Sequence, residues 1–277
     1  MPELEDIRDH LGEVRRLGYV APTDLGPRAS RTNIQTLRSN AGLSPLIPQA
    51  QWTQVDFVTG YPLDLIEDQT NLGACTAFSA TGAGARQRFM RTGKIVKTSG
   101  FYLYDQINGG RDRGSNIIDS MTIVESKGTP PADSYTSCKF REGLDPPGVE
   151  WYKEDLAVTV ASSQECATAL QSGMLCQAPI LVTNSFENFT GDGVAWGGKA
   201  PSSSSSNHSI YLAGLKNING TWYFILVNSW RPSWGPFRNG TCLIPMAAID
   251  NAAMADDGYA HASTPDPNSS NLPVPSA

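Results

Sequence analysis

The chain has 277 residues and a mass of 29.8 kDa, with 40% hydrophobic residues, 26 glycines and 19 prolines, enough to bury a full core as one domain or as two lobes sharing a cleft. Twenty-one basic residues against 27 acidic ones leave a net charge of −6 with no Lys/Arg cluster, which argues against nucleic acid or an anionic membrane surface as the partner. The longest apolar run is Trp222–Val227, far short of the roughly 20 residues of a spanning helix, so no membrane segment is predicted.

The acidic start, Met1-Pro2-Glu3-Leu4-Glu5-Asp6, lacks the basic and apolar regions of a secretory signal and predicts a cytoplasmic protein, or a virion-borne one if phage-encoded. Leu4, Ile7, Leu11, Val14 and Leu17 recur at spacings of three and four before Gly18, which predicts a short amphipathic helix over residues 3 to 18. Residues 19 to 50 are rich in Pro, Gly, Ser and Asn, with one further helical turn at Ile34 to Leu37, so residues 1 to 50 read as an extension. From Gly73 the pattern changes. Ala74 to Met90 is Ala-rich and free of proline, a buried helix with Cys75 at its N-terminus. A second helix is predicted from Ser115 to Lys127, where Ile117, Ile118, Met121 and Val124 share a face and Gly128 ends it.

Beyond residue 150 the chain turns to β-branched and aromatic runs, at Val158 to Ala161, Ile180 to Thr183, Ile210 to Leu215, Trp222 to Val227 and Thr241 to Ile244. These predict antiparallel strands, and Asn219-Gly220 is a hairpin signal between two of them. Thr190 to Ser206 reads as a long loop just before His208, and residues 259 to 277, rich in Pro and Ser, as a flexible tail after a domain spanning 51 to 258. Five widely spaced cysteines form no disulfide framework, and three isolated histidines suggest neither a metal site nor a cofactor.

A helical half followed by a β half suggests a cleft between dissimilar lobes, and the reactive side chains fall on either side of it. A thiol at a helix N-terminus ionises readily, which makes Cys75 a candidate nucleophile. Three blocks carry the pattern in order: Asp68-Gln69-Thr70-Asn71-Leu72-Gly73-Ala74-Cys75-Thr76-Ala77-Phe78-Ser79, then Asn207-His208-Ser209-Ile210, then Asn228-Ser229-Trp230-Arg231-Pro232-Ser233-Trp234-Gly235. His208 and Asn228 follow Cys75 by roughly 130 and 150 residues. Over residues 60 to 250 or so the chain resembles the papain-like cysteine peptidases, in pattern the bacterial and viral members.

That resemblance implies a two-lobe α+β fold, helical from about 75 to 150 and antiparallel, β-barrel-like from about 150 to 250, acting on a peptide or protein substrate through a thioester acyl-enzyme. It implies Cys75 as nucleophile, His208 as base and acid, Asn228 as the group orienting His208, Gln69 with the Cys75 N–H as oxyanion hole, and Trp230 as a shield over the His–Asn pair. Gly114 and Ser115 resemble the wall that binds an extended substrate strand by its backbone, with a plain helix cap at Ser115 as the alternative reading. The chain departs from the family pattern at Thr76, at Leu72 and at Arg231, which stands where glycine is usual. Two other readings keep the same motif: a structural component of a phage particle or other large assembly, with its other subunits as partners, and an amidase or acyltransferase.

Overall fold

The computed structural model describes residues 4–24, 26, 31–154, 156–182, 186, 207–250 and 252–262. The long loop predicted at 190 to 206 and the tail beyond 262 lie outside these residues. Chain order begins with a two-stranded hairpin, β1 (Asp6–Arg8) and β2 (Val14–Arg16), then α1 (Ile34–Asn40) and the short β3 (Val55–Asp56). Three helices follow: α2 (Cys75–Thr92), α3 (Gly100–Ile107) and α4 (Ile117–Ser126). The second half runs β4 (Leu156–Thr159), α5 (Ser163–Gln171), β5 (Leu175–Ile180), β6 (His208–Ile218), β7 (Thr221–Val227), β8 (Thr241–Pro245), α6 (Ala252–Asp257) and β9 (Tyr259–Ala262).

The sheet is antiparallel in the order β4-β9-β5-β6-β7-β8, with β3 paired to β6. Its end strands β4 and β8 are not paired with each other, so the barrel is open among the described residues. Helix α2 lies between the lobes, and its face of Ala77, Ala80, Ala83, Gly84 and Ala85 lets neighbouring elements come close. Arg86, 1% exposed in the middle of it, donates from Nε to the Tyr211 hydroxyl at 3.1 Å and from Nη1 to the Phe57 carbonyl at 2.7 Å. One apolar cluster fills the β lobe around Leu212, Phe224 and Leu226; another fills the helical lobe around Leu103, Tyr104 and Met121. Asn219 and Gly220, with φ of 52° and 85°, make the predicted tight turn between β6 and β7.

Two expectations are corrected. The helix expected over residues 3 to 18 is not found over the described residues 4 to 18: Asp9 Oδ1 accepts from the Leu11 and Glu13 N–H groups, Gly12 takes a φ of 79°, and the chain doubles back as β1–β2. The alternating pattern of a hairpin thus won over a three-and-four spacing that fitted a helix equally well. The segment after 258 is not all tail, because β9 inserts between β4 and β5, pairing Tyr259 with Thr159 and with Gln177. Ala260 and His261 are fully buried there, and the domain therefore runs to residue 262.

Candidate active site

The structure brings the sequence-predicted residues to one place. Cys75 is the first residue of α2, and Ala74 ahead of it supplies no side-chain cap, which leaves the helix N–H groups to the thiol. His208 opens β6 and Asn228 follows β7, neighbouring strands, so the sheet itself sets their separation. The His208 Nε2 lies 2.8 Å from Asn228 Oδ1. An amide oxygen only accepts, so Nε2 carries the proton and Nδ1, buried with no hydrogen-bond partner, is the basic nitrogen. The Ser209 N–H, next along the chain from His208, is among the groups that favour the Cys75 thiolate, which puts the sulfur in the neighbourhood of His208. The Trp230 ring lies over the imidazole at 4.9 Å between centroids, fully buried and packed in turn on Phe186 and Trp234. Gln69 is fully buried, and Ser229 holds it from both sides: Ser229 Oγ donates to Oε1 at 2.6 Å, and the Gln69 N–H donates to the Ser229 carbonyl at 2.9 Å.

This leaves the Gln69 Nε2 directed at the Leu72 carbonyl, 2.8 Å, and at the carbonyl of Arg16, 3.2 Å. The second contact belongs to the amino-terminal segment, which lies in the cleft. The Ser115 N–H donates to Gly18 O and the Val20 N–H to Ser115 O, both at 2.9 Å, and the Tyr19 N–H donates to Asn207 O at 3.1 Å. Ser115 is thus paired with the segment through both of its backbone groups, while Gly114, whose N–H is held by the Tyr104 hydroxyl at 3.0 Å, passes close under the Gly18 carbonyl. The cap of α4 is Asn116, whose side chain accepts from the Asp119 N–H, so Ser115 is not the cap. The Ser115 hydroxyl instead bonds Thr76 Oγ1, an interaction that an aromatic residue at 76 could not make. Gly18 is also not a helix stop. A Cβ on it would overlap the carbonyl of Gly73, and only glycine lets the segment come this close to the nucleophile loop.

The hairpin anchors the segment. Arg15, 2% exposed, joins Asp9 (3.0 Å), Asp68 (2.7 Å), Thr70 O (3.2 Å) and Trp230 O (3.4 Å). Arg16 bridges Asp6 at 2.7 Å and Asp112 at 2.8 Å, and Asp112 Oδ1 in turn accepts from the Gly73 N–H and the Tyr104 hydroxyl. Arg231, the departure from glycine, sits at a φ of 71° and pairs with Glu13 of the hairpin at 3.0 Å.

Covering the site changes its electrostatics. Burial pushes the Cys75 thiol up to about 11, against the N–H groups of Ser209, Gly18, Thr76 and Cys75 itself that favour the anion. Burial likewise pushes His208 down to about 4, against its bond to Asn228. The helix N-terminus alone suggested a readily ionised thiol; in the closed chain desolvation outweighs it, and thiol and imidazole are both neutral at pH 7. Asp68, which opens the nucleophile block but had no role assigned, completes the site with Asp112, Arg15 and Tyr19, which the sequence did not single out. The signal available for Arg15 was its place on a strand opposite Ile7 in a hairpin with an Asp-x-x-Gly turn.

The family follows from comparison with known proteins. A profile of the papain family of cysteine proteases matches residues 51–260. The chain belongs to that family. Cysteine proteinase 3 of Dictyostelium discoideum is 29% identical over 244 residues, which are 82% of this chain and 68% of that protein. Cathepsin L2 of Homo sapiens is 30% identical over 205 residues, 66% of this chain and 57% of that protein. Against the first three curated relatives the chain spans about two thirds of their length, at 68%, 66% and 65%. Among solved structures, the digestive procathepsin L2 proteinase from Tenebrio molitor larval midgut superposes with a TM-score of 0.70 at 22% identity, covering 90% of this chain and 78% of that one. Xylellain from Xylella fastidiosa superposes with a TM-score of 0.66 at 16% identity, covering 95% of this chain and 100% of that one. At such identities these two establish the papain-like α+β fold. The relatives named are cysteine proteases, whose substrates are peptides or proteins; none is a phage or assembly component, so that alternative has no support.

Proposed function

We propose that this papain-family protease is a latent endopeptidase whose own residues 4 to 20 occupy the cleft until displaced. In the open enzyme Cys75 Sγ, its proton passed to His208 Nδ1, attacks a peptide carbonyl. The resulting oxyanion is met by the Cys75 N–H and by Gln69 Nε2, the donor that Arg16 O engages in the closed chain. His208 Nδ1–H then protonates the leaving amine as the C–N bond breaks and the thioester forms. Water, deprotonated by the same nitrogen, releases the acid and restores the thiol. Asn228 holds Nε2–H so that Nδ1 stays turned to the sulfur, and Trp230 keeps water from that bond. Gly114 and Ser115 pair with the substrate backbone.

The observation carrying this reading is the 2.8 Å His208–Asn228 bond, which commits one ring nitrogen and leaves the other without a partner beside a thiol at a helix N-terminus. The test uses the full chain with Gly18→Val, whose side chain cannot coexist with the Gly73 carbonyl in the closed arrangement. That variant is expected to cleave casein and to lose cleavage on adding Cys75→Ala or on alkylation of Cys75. Undiminished cleavage in the double variant would overturn the assignment.

A further inference from the structure

Behind the catalytic pair, where α2 packs on the sheet, lies a buried polar cluster that the chemistry above does not use. Its members are Gln177 in the middle of β5, Ser209 on β6 and Ser79 on α2. The Gln177 Nε2 lies 2.8 Å from the Thr76 carbonyl, 2.6 Å from Ser79 Oγ and 3.2 Å from Ser209 Oγ. A carbonyl only accepts, which fixes the amide with its nitrogen towards α2. Ser79 Oγ and Ser209 Oγ, 2.9 Å apart, close the cluster. The Gln177 amide oxygen, by contrast, is buried with no hydrogen-bond partner. An unmatched buried acceptor costs stability that a leucine of similar volume would not, so the glutamine is not explained by packing. What distinguishes it is what it connects. Thr76 follows the nucleophile, Ser209 follows the base, and the backbone N–H groups of both favour the Cys75 thiolate.

We propose that Gln177 is a positioning residue: its amide ties the residue after Cys75 to the residue after His208, and so holds thiol and imidazole in register while the cleft is open. The proposal rests on the peptidase reading above. Cys75 starts a helix and His208 starts a strand, so neither element alone sets the distance between them. In the closed chain the amino-terminal segment also spans the cleft, with Ser115 N–H on Gly18 O at one side and Tyr19 N–H on Asn207 O at the other. Those bonds leave with the segment, whereas the Gln177 bonds, made beneath the cleft by a fully buried side chain, stay. Proton transfer from sulfur to Nδ1 and support of the thiolate by backbone N–H groups both weaken steeply when the partners are misplaced by about 1 Å. A tie between the two flanking residues acts on both at once.

In the full-length Gly18→Val chain, Gln177→Leu keeps the volume and removes the tie. On a fluorogenic peptide it is expected to lower kcat by about ten- to a hundredfold with KM within about twofold. Alkylation of Cys75 by iodoacetamide should reach its plateau about one pH unit higher, because the thiolate loses N–H groups that were held against it. A triple variant, Ser79→Ala with Gln177→Leu and Ser209→Ala, strips the cluster of its polar side chains. It is expected to melt no lower than the Gly18→Val parent and yet to stay slow, and it carries both measurements if Gln177→Leu alone fails to fold. Recovery of kcat together with stability in the triple variant would make the cluster merely structural and overturn the proposal. So would a Gln177→Leu chain whose kcat and alkylation rates at every pH lie within about twofold of the parent. If Gly18→Val exposes Cys75 yet cuts no peptide, the peptidase reading fails, while the alkylation profile, which needs no turnover, still decides the role of Gln177.

Discussion

Arg15→Ala tests how the segment is held. In the closed chain the guanidinium is 2% exposed and pairs with Asp9, whose side chain is fully buried, and with Asp68, whose side chain is 37% exposed. Removing it leaves the Asp9 carboxylate buried without its cation. Once the hairpin has left the cleft the same carboxylate is in water, so the cost falls on the closed state alone. Breaking a buried pair from one side costs about 3–5 kcal/mol, whereas the half-exposed Asp68 arm is worth at most about 1 kcal/mol. Asp9 keeps its bonds from the Leu11 and Glu13 N–H groups, which argues for the lower end. About 3 kcal/mol shifts the closed–open equilibrium roughly a hundredfold. The assay is the rate of Cys75 alkylation by iodoacetamide in the intact chain, followed by mass spectrometry at pH 7. Arg15→Lys should fall between native and Ala, since it keeps the charge and loses the fork that spans two carboxylates. An Arg15→Ala rate within about twofold of native would refute the reasoning and leave closure to the backbone pairing at Ser115.

The remaining predictions concern ionisation and strain. With Cys75 held up near about 11 and His208 down near about 4, alkylation of the intact chain should climb about tenfold per unit across roughly pH 6 to 10, while Gly18→Val should level off earlier; superimposable profiles would remove burial as the cause. His208 (about 4) and His261 (about 3) both titrate below 6.5 when folded, so the unfolded chain takes up two protons as pH falls from 6.5 towards 4 and stability drops. Glu67, raised to about 7 from 4.5 mainly by burial, works the other way, leaving these three groups a net slope of about 1.4 kcal/mol per pH unit between 4.5 and 6.5. His261→Leu, at a fully buried ring with no partner on either nitrogen, should flatten that slope in denaturant titrations, and an unchanged slope would count against it. Arg231→Gly should raise the stability of the fold by about 1 kcal/mol through relief of its left-handed backbone, with little change in Cys75 alkylation because its ion pair with Glu13 is exposed; a large gain in alkylation would make that pair an anchor after all.

Much of the site was legible because its chemistry is tied to residue type and order: Gln69, Cys75, His208, Asn228 and Trp230 stand together where the motif implied. Helices α2 and α4 were legible from Ala-rich composition and from one apolar face. Helix α3 was missed because Phe101 to Tyr104 reads equally as a strand. Helix α5 was missed although Ser162-x-x-Glu165 spells a capping box in the letters; in the fold Ser162 Oγ accepts from the Glu165 N–H, and Glu165 reaches one residue further back, to the N–H of Ala161. The strand expected at Ile180 to Thr183 is Leu175–Ile180, where six buried residues leave no alternation to set its limits. What the sequence could not yield was the partner of the wall. Val20 N–H on Ser115 O is a contact between distant segments, and nothing local in Leu17-Gly18-Tyr19-Val20 distinguishes a strand that fills a cleft from a surface loop.

The direction of that strand explains how the chain holds a peptide against its own nucleophile. Tyr19 pairs with Ser115 in parallel, and the residues before it lie towards Trp230, where Arg15 reaches the Trp230 carbonyl and Glu13 meets Arg231. Under the proposed mechanism a substrate runs the other way, with its acyl side along Ser115 and its leaving amine towards His208, which protonates it, and Trp230. In the reversed segment the carbonyl offered to Gln69 is that of Arg16, and the nitrogen bonded to it, that of Leu17, points to the acyl side. An adduct formed there would present an α-carbon where His208 could deliver a proton, and a carbon is no leaving group. Such an adduct can only collapse back to thiol and intact peptide. Ionising Cys75 is therefore not enough to cut the segment, and the onset of activity depends on displacing it. Substitutions at Arg15 and Gly18, which touch neither Cys75 nor His208 through their side chains, are accordingly the ones expected to release the enzyme.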